Sequence, residues 1–181
     1  MLGVVFTEFV EMVEATFGEE VADYILDTSK LESGGAYTAV GAYSHHEMLE
    51  LCTHLSERTG VPVNALVKTF GKHLAKEFSS RYSIFFEHID DPFDFFEALD
   101  AHIHKEVQKL YPKALLPTFT SRREGDDTLV LEYHSARPFG VLAHGLIEGS
   151  LEIFQCEATI DVEDFSEPGQ SHVIFTITKT A

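Results

Sequence analysis

Apolar positions in much of the first 111 residues recur every three or four places, the spacing of amphipathic helices. Gly18 and Gly60 stand at the ends of two such stretches, where glycine commonly terminates a helix. Asp91 and Pro92 form a strong start signal for the last stretch, which runs to Tyr111. The pattern predicts helices over residues 2–17, 19–29, 45–59, 62–78 and 92–111.

After Pro117 the period of the pattern changes from that of a helix to that of a strand. Polar turns at 124–127 and 167–169 separate alternating stretches, and residues 139–150 return to a helical period. The predicted strands cover residues 118–121, 129–135, 150–162 and 171–180. Helices first and strands later predict an α+β fold: an N-terminal helical half packed on a C-terminal half with a small, mostly antiparallel sheet.

Composition narrows the class of protein. The 181 residues suit one domain, and the formal net charge of −17 argues against nucleic acid and anionic membrane surfaces as partners. No apolar run is long enough for a membrane span, and no basic stretch precedes an apolar one at the N-terminus. Cys52 and Cys156 stand alone in apolar surroundings, so we expect reduced thiols in a cytoplasmic protein.

Two stretches carry candidate chemistry. His104 lies at the edge of an apolar helical stripe, where an imidazole either is a satisfied, partly buried side chain or ligates the iron of a porphyrin. Tyr133, Ser135 and Arg137 alternate on a predicted strand, so their polar groups leave by one face and require a polar partner. A pair of carboxylates, such as haem propionates, would satisfy all three. The apolar stripe comprises Phe93, Phe96, Leu99, Ile103, Val107 and Leu110.

Together these residues resemble the H-NOX family of haem-binding nitric oxide and oxygen sensor domains. Family members combine a helical histidine with a Tyr-x-Ser-x-Arg motif about thirty residues later, as His104 and Tyr133 do here, with Pro117 between them. The resemblance covers the whole chain. It implies a single domain over residues 1–181, in which 1–60 form a distal helical part and 61–181 form the haem-holding helices and sheet, with haem b between the halves.

The resemblance also implies roles for individual residues. His104, rather than the neighbouring His102, would be the proximal iron ligand, and Pro117 would press on the macrocycle. Tyr133, Ser135 and Arg137 would hold the propionates. Without the resemblance, the apolar positions that match the distal lining are interpreted as ordinary core residues. That lining comprises Val5, Phe9, Leu74, Phe78, Leu142 and Leu146.

All six distal positions are apolar, and this bears on the choice of gas. Oxygen-binding relatives place a tyrosine where Leu142 stands, because bound O₂ is stabilised by a hydrogen-bond donor. The resemblance therefore implies a sensor of nitric oxide, in which binding weakens the iron–His104 bond and signals by release of His104. The signal would pass to a separate partner, commonly a histidine kinase or a cyclic-di-GMP enzyme in bacterial relatives.

Three alternatives stay open at this stage. The domain could sense O₂ or redox state through haem, or hold an apolar carboxylate ligand other than haem through Arg137. A haem enzyme is the weakest alternative, because the chain has no distal acid–base pair and no known catalytic motif. His144 lies two residues from Leu142, which on a helix predicts that it points elsewhere. We therefore expect no enzymatic activity.

Overall fold

Helical and extended segments divide the chain much as their periodicity predicts. The computed structural model describes residues 1–112 and 114–180. The helices are α1 (Gly3–Phe17), α2 (Glu19–Thr28), α3 (His45–Thr59), α4 (Val63–Arg81), α5 (Pro92–Ala98), α6 (His104–Leu110) and α7 (Gly140–Ile153). A 3-10 turn covers Ser83–Phe85, and a π-helical turn, Leu99–Ile103, joins α5 to α6. The strands are β1 (Thr118–Arg123), β2 (Thr128–Ser135), β3 (Ala158–Asp164) and β4 (Ser171–Lys179).

Local signals in the sequence set several helix ends. The Ser44 hydroxyl accepts a hydrogen bond from the His46 amide at 3.3 Å and caps α3. Gly60 ends that helix with φ of 74°, in the left-handed region that glycine adopts without strain. At the start of α5, Asp91 Oδ1 accepts a hydrogen bond from the Phe93 amide at 2.8 Å, with Pro92 in the first turn. These predicted boundaries are confirmed.

The four strands form one antiparallel sheet in the order β1-β2-β4-β3. Its two faces differ in polarity because successive side chains alternate between them. The inner face carries the buried residues Leu129, Leu131, Tyr133, Val173, Phe175 and Ile177. Glu132, His134 and His172 lie on the outer face, where their side chains are half-buried. Helices packed on the inner face of this sheet confirm the α+β prediction.

Two apolar cores lie on either side of α7. We call them the helical core, which is built mainly from α1–α4, and the sheet core, which is built mainly from α5 and the sheet. Leu142 belongs to the helical core, whereas Ala143 and Ile147 belong to the sheet core. Gly145 lets α7 approach α4 closely: a Cβ there would lie 2.1 Å from the Lys68 carbonyl oxygen.

Two predicted elements are wrong in detail. Residues 150–153 were expected to be strand, but they extend α7 to Ile153, because Leu151 packs into the sheet core as part of that helix. The predicted helix 92–111 is interrupted by the π-helical turn, in which the His104 amide donates a hydrogen bond to the Leu99 carbonyl. This i→i+5 bond adds a residue to the turn and rotates the positions after it. Leu110, expected to be inward-facing, is 69% exposed.

Neither cysteine is in a disulfide: Cys52 is buried in the helical core and Cys156 is half-buried. Burial raises the pKa of the Cys52 thiol to about 12, and burial also raises the pKa of Cys156. Both shifts oppose formation of the thiolate, which is the reactive form of a cysteine side chain. Among the described residues, no helix is long and apolar enough to cross a membrane.

Candidate functional site

His104 is held in one orientation by Asp100. Its Nδ1 atom lies 2.6 Å from Asp100 Oδ1, four residues earlier along the same helical segment. A carboxylate can only accept a hydrogen bond, so Nδ1 carries the proton. In the neutral imidazole Nε2 then has a free lone pair, and this atom makes no hydrogen bond with any residue of the described ranges. An imidazole held through Nδ1 with Nε2 free is the usual arrangement of a metal-ligating histidine.

Asp100 also ties the helical segment to the sheet. Its second oxygen, Oδ2, accepts a hydrogen bond from the Phe119 amide of β1 at 2.9 Å. The Phe119 ring lies between the imidazole of His104, at a centroid distance of 5.8 Å, and the phenol ring of Tyr133, at 5.3 Å. One carboxylate thus fixes both the candidate ligand and the strand beside it.

The π-helical turn sits directly before His104, so it sets where that side chain emerges. Turns of this kind are rare within α-helices and occur often at functional sites. Asp100 lies inside the turn, and its two hydrogen bonds, to His104 and Phe119, help to hold it. The irregularity and the candidate ligand are therefore parts of one local arrangement.

Tyr133, Ser135 and Arg137 lie close together, although not all on one strand. Tyr133 is buried on the inner face, and Ser135 is the last residue of β2. Arg137 follows the strand end, which corrects the prediction that it belongs to the strand. Its amide donates to Ser135 Oγ at 3.1 Å, and its carbonyl accepts from Ser171 Oγ at 2.8 Å, so the chain bends there. Burial raises the pKa of Tyr133, while Ser135 and Arg137 act in the opposite direction.

Arg137 differs from the other arginines in its lack of a carboxylate partner among the described residues. The other four arginines each form ion pairs, whereas Arg137 forms none with any residue in 1–112 or 114–180. The charge of Arg137 affects the nearby His45: burial lowers the pKa of His45, and His46 and Arg137 lower it further. In a chain of net charge −17, a half-buried guanidinium without a partner favours binding of an external anion. The paired arginines are Arg58, Arg81, Arg122 and Arg123.

The six predicted distal residues all belong to the helical core. Phe9, Leu74 and Leu142 are buried there, and three further residues are half-buried against it. They come from α1, α4 and α7, and none has a hydrogen-bond donor in its side chain. The half-buried residues are Val5, Phe78 and Leu146.

His144 faces the opposite side of α7 from Leu142, as its helical spacing predicts. Its Nε2 atom lies 3.3 Å from Glu148, and its ring lies 5.8 Å from that of Phe175 in the sheet core. Burial lowers the pKa of His144, and Lys68 lowers it further while Glu148 opposes the shift. This histidine is therefore no donor to the distal side.

Comparison with known proteins adds an independent result. A sequence model of the family described as Haem-NO-binding matches residues 2–162, which is most of the chain. The chain belongs to the Haem-NO-binding, or H-NOX, family. Members of this family bind haem and sense gases, and the H-NOX domain is a sensor module rather than a catalytic one.

Solved H-NOX structures share this fold. The Fe(II) unliganded H-NOX protein from K. algicida is 36% identical, with a TM-score of 0.93 over 100% of this chain and 97% of that one. The IWP-051-bound H-NOX from Shewanella woodyi, in the Fe(II)CO state, is 42% identical, with a TM-score of 0.84 over 99% and 95%. Soluble guanylate cyclase gcy-35 of Caenorhabditis elegans is 23% identical over 191 residues. That match covers 99% of the present chain but only 28% of the cyclase.

Sequence reasoning missed two residues that organise this candidate site. Asp100 was not singled out, although its place four residues before His104 is a spacing at which helical side chains meet. Phe119 had no local signal, because only the pairing of β1 with β2 brings it beside Tyr133. Pro117 is half-buried in the segment that leads into β1, two residues from Phe119.

Proposed function

We propose that this domain is a sensor of nitric oxide that holds ferrous haem b through His104. The observation that carries the proposal is the His104 imidazole, with Nδ1 fixed by Asp100 and Nε2 free. Tyr133, Ser135 and Arg137 would anchor the propionates, and Pro117 would contact the macrocycle. When bound, ferrous haem supplies an iron with an open position for a diatomic gas.

The donor set fits such a group at each end. Neutral imidazole is the ligand that haem iron takes in gas-binding proteins, and a fixed Nδ1–H strengthens Nε2 as a donor. At the other end, Arg137 offers two parallel N–H groups that match a carboxylate, and the two hydroxyls can donate beside it. The flat apolar part of the ligand would lie between the helical core and the sheet core, against the six distal residues on one side.

The apolar distal residues support selectivity for nitric oxide over O₂. A hydrogen-bond donor on the distal side stabilises the partial negative charge of bound O₂, and Leu142 cannot supply one. Binding of nitric oxide to ferrous iron has no such requirement. We infer that the lining from α1, α4 and α7 rejects O₂ through the missing donor rather than through a lack of space.

We infer that the signal leaves the site through the segment Leu99–Leu110. His104 and Asp100 both lie on it, and Asp100 holds β1 through the Phe119 amide. A change in the restraint on His104 would therefore be passed to Asp100 and on to the sheet. Allosteric transmission of this kind requires an element with two arrangements, and the π-helical turn is suited to that role.

We propose that catalytic output belongs to a separate partner, a histidine kinase or a cyclic-di-GMP enzyme. The sensor character of the H-NOX family supports this division of labour. We infer a cytoplasmic location, which such a partner would share. The acidic surface of the chain would suit a partner with a basic docking face.

The test is the visible spectrum of the purified ferrous protein, first in air and then with nitric oxide. We expect a haem spectrum that air leaves unchanged and that nitric oxide converts to a five-coordinate nitrosyl spectrum. A stable ferrous–oxy spectrum would contradict the argument from Leu142 and favour an O₂ sensor. A colourless protein that cannot be loaded with haem would contradict the cofactor and favour another apolar carboxylate ligand.

Replacing Arg137 with Ala tests the anchor. We expect faster loss of haem to an acceptor such as apomyoglobin, because two charge-assisted hydrogen bonds are removed, each worth about 1.5–3 kcal/mol when well buried. Arg122→Ala is the matched control, since Arg122 is exposed and pairs with Glu124, far from the end of β2 where Arg137 lies. Equal rates of haem loss in the two variants would argue against Arg137 as the anchor.

A further inference from the structure

Three side chains on the outer face of the sheet converge on one point. Glu132 Oε1 lies 3.0 Å from His134 Nε2 and 2.7 Å from His172 Nε2. All three ligand atoms lie within 4.8 Å of one another. No other group of three His, Cys, Asp or Glu side chains in the described ranges comes together in this way. We propose that Glu132, His134 and His172 form a second metal site, for a divalent first-row transition ion such as Zn²⁺.

The register of the sheet places these residues together. His134 of β2 and His172 of β4 are direct cross-strand partners, and their rings stack at 4.3 Å with an interplanar angle of 19°. Glu132 is two positions before His134 on the same strand, so it leaves by the same face and lies diagonal to His172. The backbone of two central strands thus fixes all three Cβ positions.

The chemistry of the set fits a transition metal better than Ca²⁺ or Mg²⁺. Two imidazole nitrogens and one carboxylate oxygen are ligands that Zn²⁺ and its neighbours take, whereas Ca²⁺ and Mg²⁺ require oxygens. Bond lengths of about 2.0–2.1 Å put ligand atoms about 3.3 Å apart in a tetrahedral site. The two observed nitrogen–oxygen separations, 3.0 and 2.7 Å, are about 0.3 and 0.6 Å shorter than that value, so side-chain rotations that open the cluster by this amount accommodate an ion.

A neighbouring hydroxyl orients the carboxylate. Thr120 Oγ1 of β1 donates to Glu132 Oε2 at 3.2 Å, which leaves Oε1 directed at the two imidazoles. Outer hydrogen bonds of this kind commonly fix metal-binding carboxylates. The side chains of Glu132, His134 and His172 are 37%, 37% and 30% exposed, so an ion has access from solvent and water can complete its coordination.

The site is separate from the one around His104. Tyr133 points inward from β2, between Glu132 and His134, which point outward. The two sets therefore occupy opposite faces of the same strand. A metal on the outer face would bridge β2 to β4 directly behind the Tyr133–Ser135 segment, and would restrain the strand that carries it.

The experiment is a calorimetric titration of the haem-loaded protein with Zn²⁺ alone, after treatment with a chelator and in about 0.15 M salt, which screens weak binding to acidic surfaces. We expect one ion per chain. His134→Asn, His172→Asn and Glu132→Gln should each weaken binding by more than the roughly 10- to 100-fold that loss of an outer partner produces. Thr120→Val should weaken it within that range.

His54→Asn is the matched control. His54 lies on α3 at 3.8 Å from Glu50 and 3.5 Å from Glu57, so it is also a half-buried histidine beside two carboxylates. We expect unchanged Zn²⁺ binding in that variant. Absence of Zn²⁺ binding, or binding unaffected by His134→Asn, His172→Asn and Glu132→Gln, would overturn the proposal. Far-UV circular dichroism establishes that each variant is folded.

His104→Ala separates this site from the proposed haem site. That variant removes the candidate iron ligand on the inner side of the sheet and leaves the outer face unchanged. We expect it to keep the full affinity of the outer site for Zn²⁺. Loss of stoichiometric Zn²⁺ binding in His104→Ala, with binding retained in His172→Asn, would assign the ion to His104 instead and overturn the proposal.

Discussion

Replacing Asp100 with Ala should weaken both the fold and the hold on haem, by amounts that its two hydrogen bonds define. The variant removes the acceptors for His104 Nδ1 at 2.6 Å and for the Phe119 amide at 2.9 Å. A hydrogen bond to a charged group is worth about 1.5–3 kcal/mol when buried. The Asp100 side chain is 32% exposed, so we reduce the sum of both bonds to about 2 kcal/mol of unfolding free energy.

A second effect appears only when haem is bound. Loss of an outer partner of a metal-ligating histidine typically lowers affinity by about 10- to 100-fold, which corresponds to about 1.4–2.8 kcal/mol. Urea unfolding of the haem-free Asp100→Ala protein should show the first loss alone, and unfolding of the haem-loaded protein should show both. Asp100→Asn keeps one neutral acceptor, so its losses should be intermediate.

Asp126→Ala is the control, because Asp126 lies in the exposed turn between β1 and β2 and makes no hydrogen bond with the described residues. We expect its unfolding free energy to stay within about 0.5 kcal/mol of the wild-type value. If Asp100→Ala matches this control in the haem-free protein, the two contacts of Asp100 contribute no stability. If the haem-loaded variant shows no additional loss, Asp100 does not position the iron ligand.

Leu142→Tyr should give a ferrous–oxy spectrum in air and Leu142→Phe should not, because only the tyrosine adds a distal donor. Gly145→Ala should lower the unfolding free energy in urea by about 1–3 kcal/mol, since the new methyl group would meet the Lys68 carbonyl; wild-type stability would contradict the close packing of α4 and α7. Asp91→Ala should lower the unfolding free energy by about 1 kcal/mol at pH 7 through loss of the α5 cap. Burial raises the pKa of Asp91, but hydrogen bonds from the Phe93 amide and Lys179 outweigh it and lower that pKa overall. A carboxyl group whose pKa is lower in the folded than in the unfolded protein stabilises the fold above the unfolded pKa. The difference in unfolding free energy between the wild type and Asp91→Ala should therefore shrink below about pH 4. A constant difference across the pH range would contradict this prediction.

The sequence by itself determined most of the element order and the two motifs. Helical and strand periods are local properties, and caps such as Ser44 and Asp91 act within a few residues. Both can therefore be predicted without knowledge of the tertiary structure. His104 and the Tyr133–Arg137 stretch were found because a polar group in an apolar pattern stands out locally. Their roles came from the family resemblance, since spacing alone favoured a satisfied, partly buried histidine over an iron ligand.

Only the tertiary structure decided how these pieces are held. The π-helical turn is held in part by the contact of Asp100 with β1, which no local period could reveal, and the exposed Leu110 lies after that turn. The end of α7 was misjudged because Leu151 finds its partners in a core assembled from distant segments. The Glu132, His134 and His172 cluster likewise needs a register between β2 and β4 that spans about forty residues of chain. This long-range pairing is fixed by burial of the whole inner face of the sheet. A one-residue slip of a strand would move its buried side chains to the outer face.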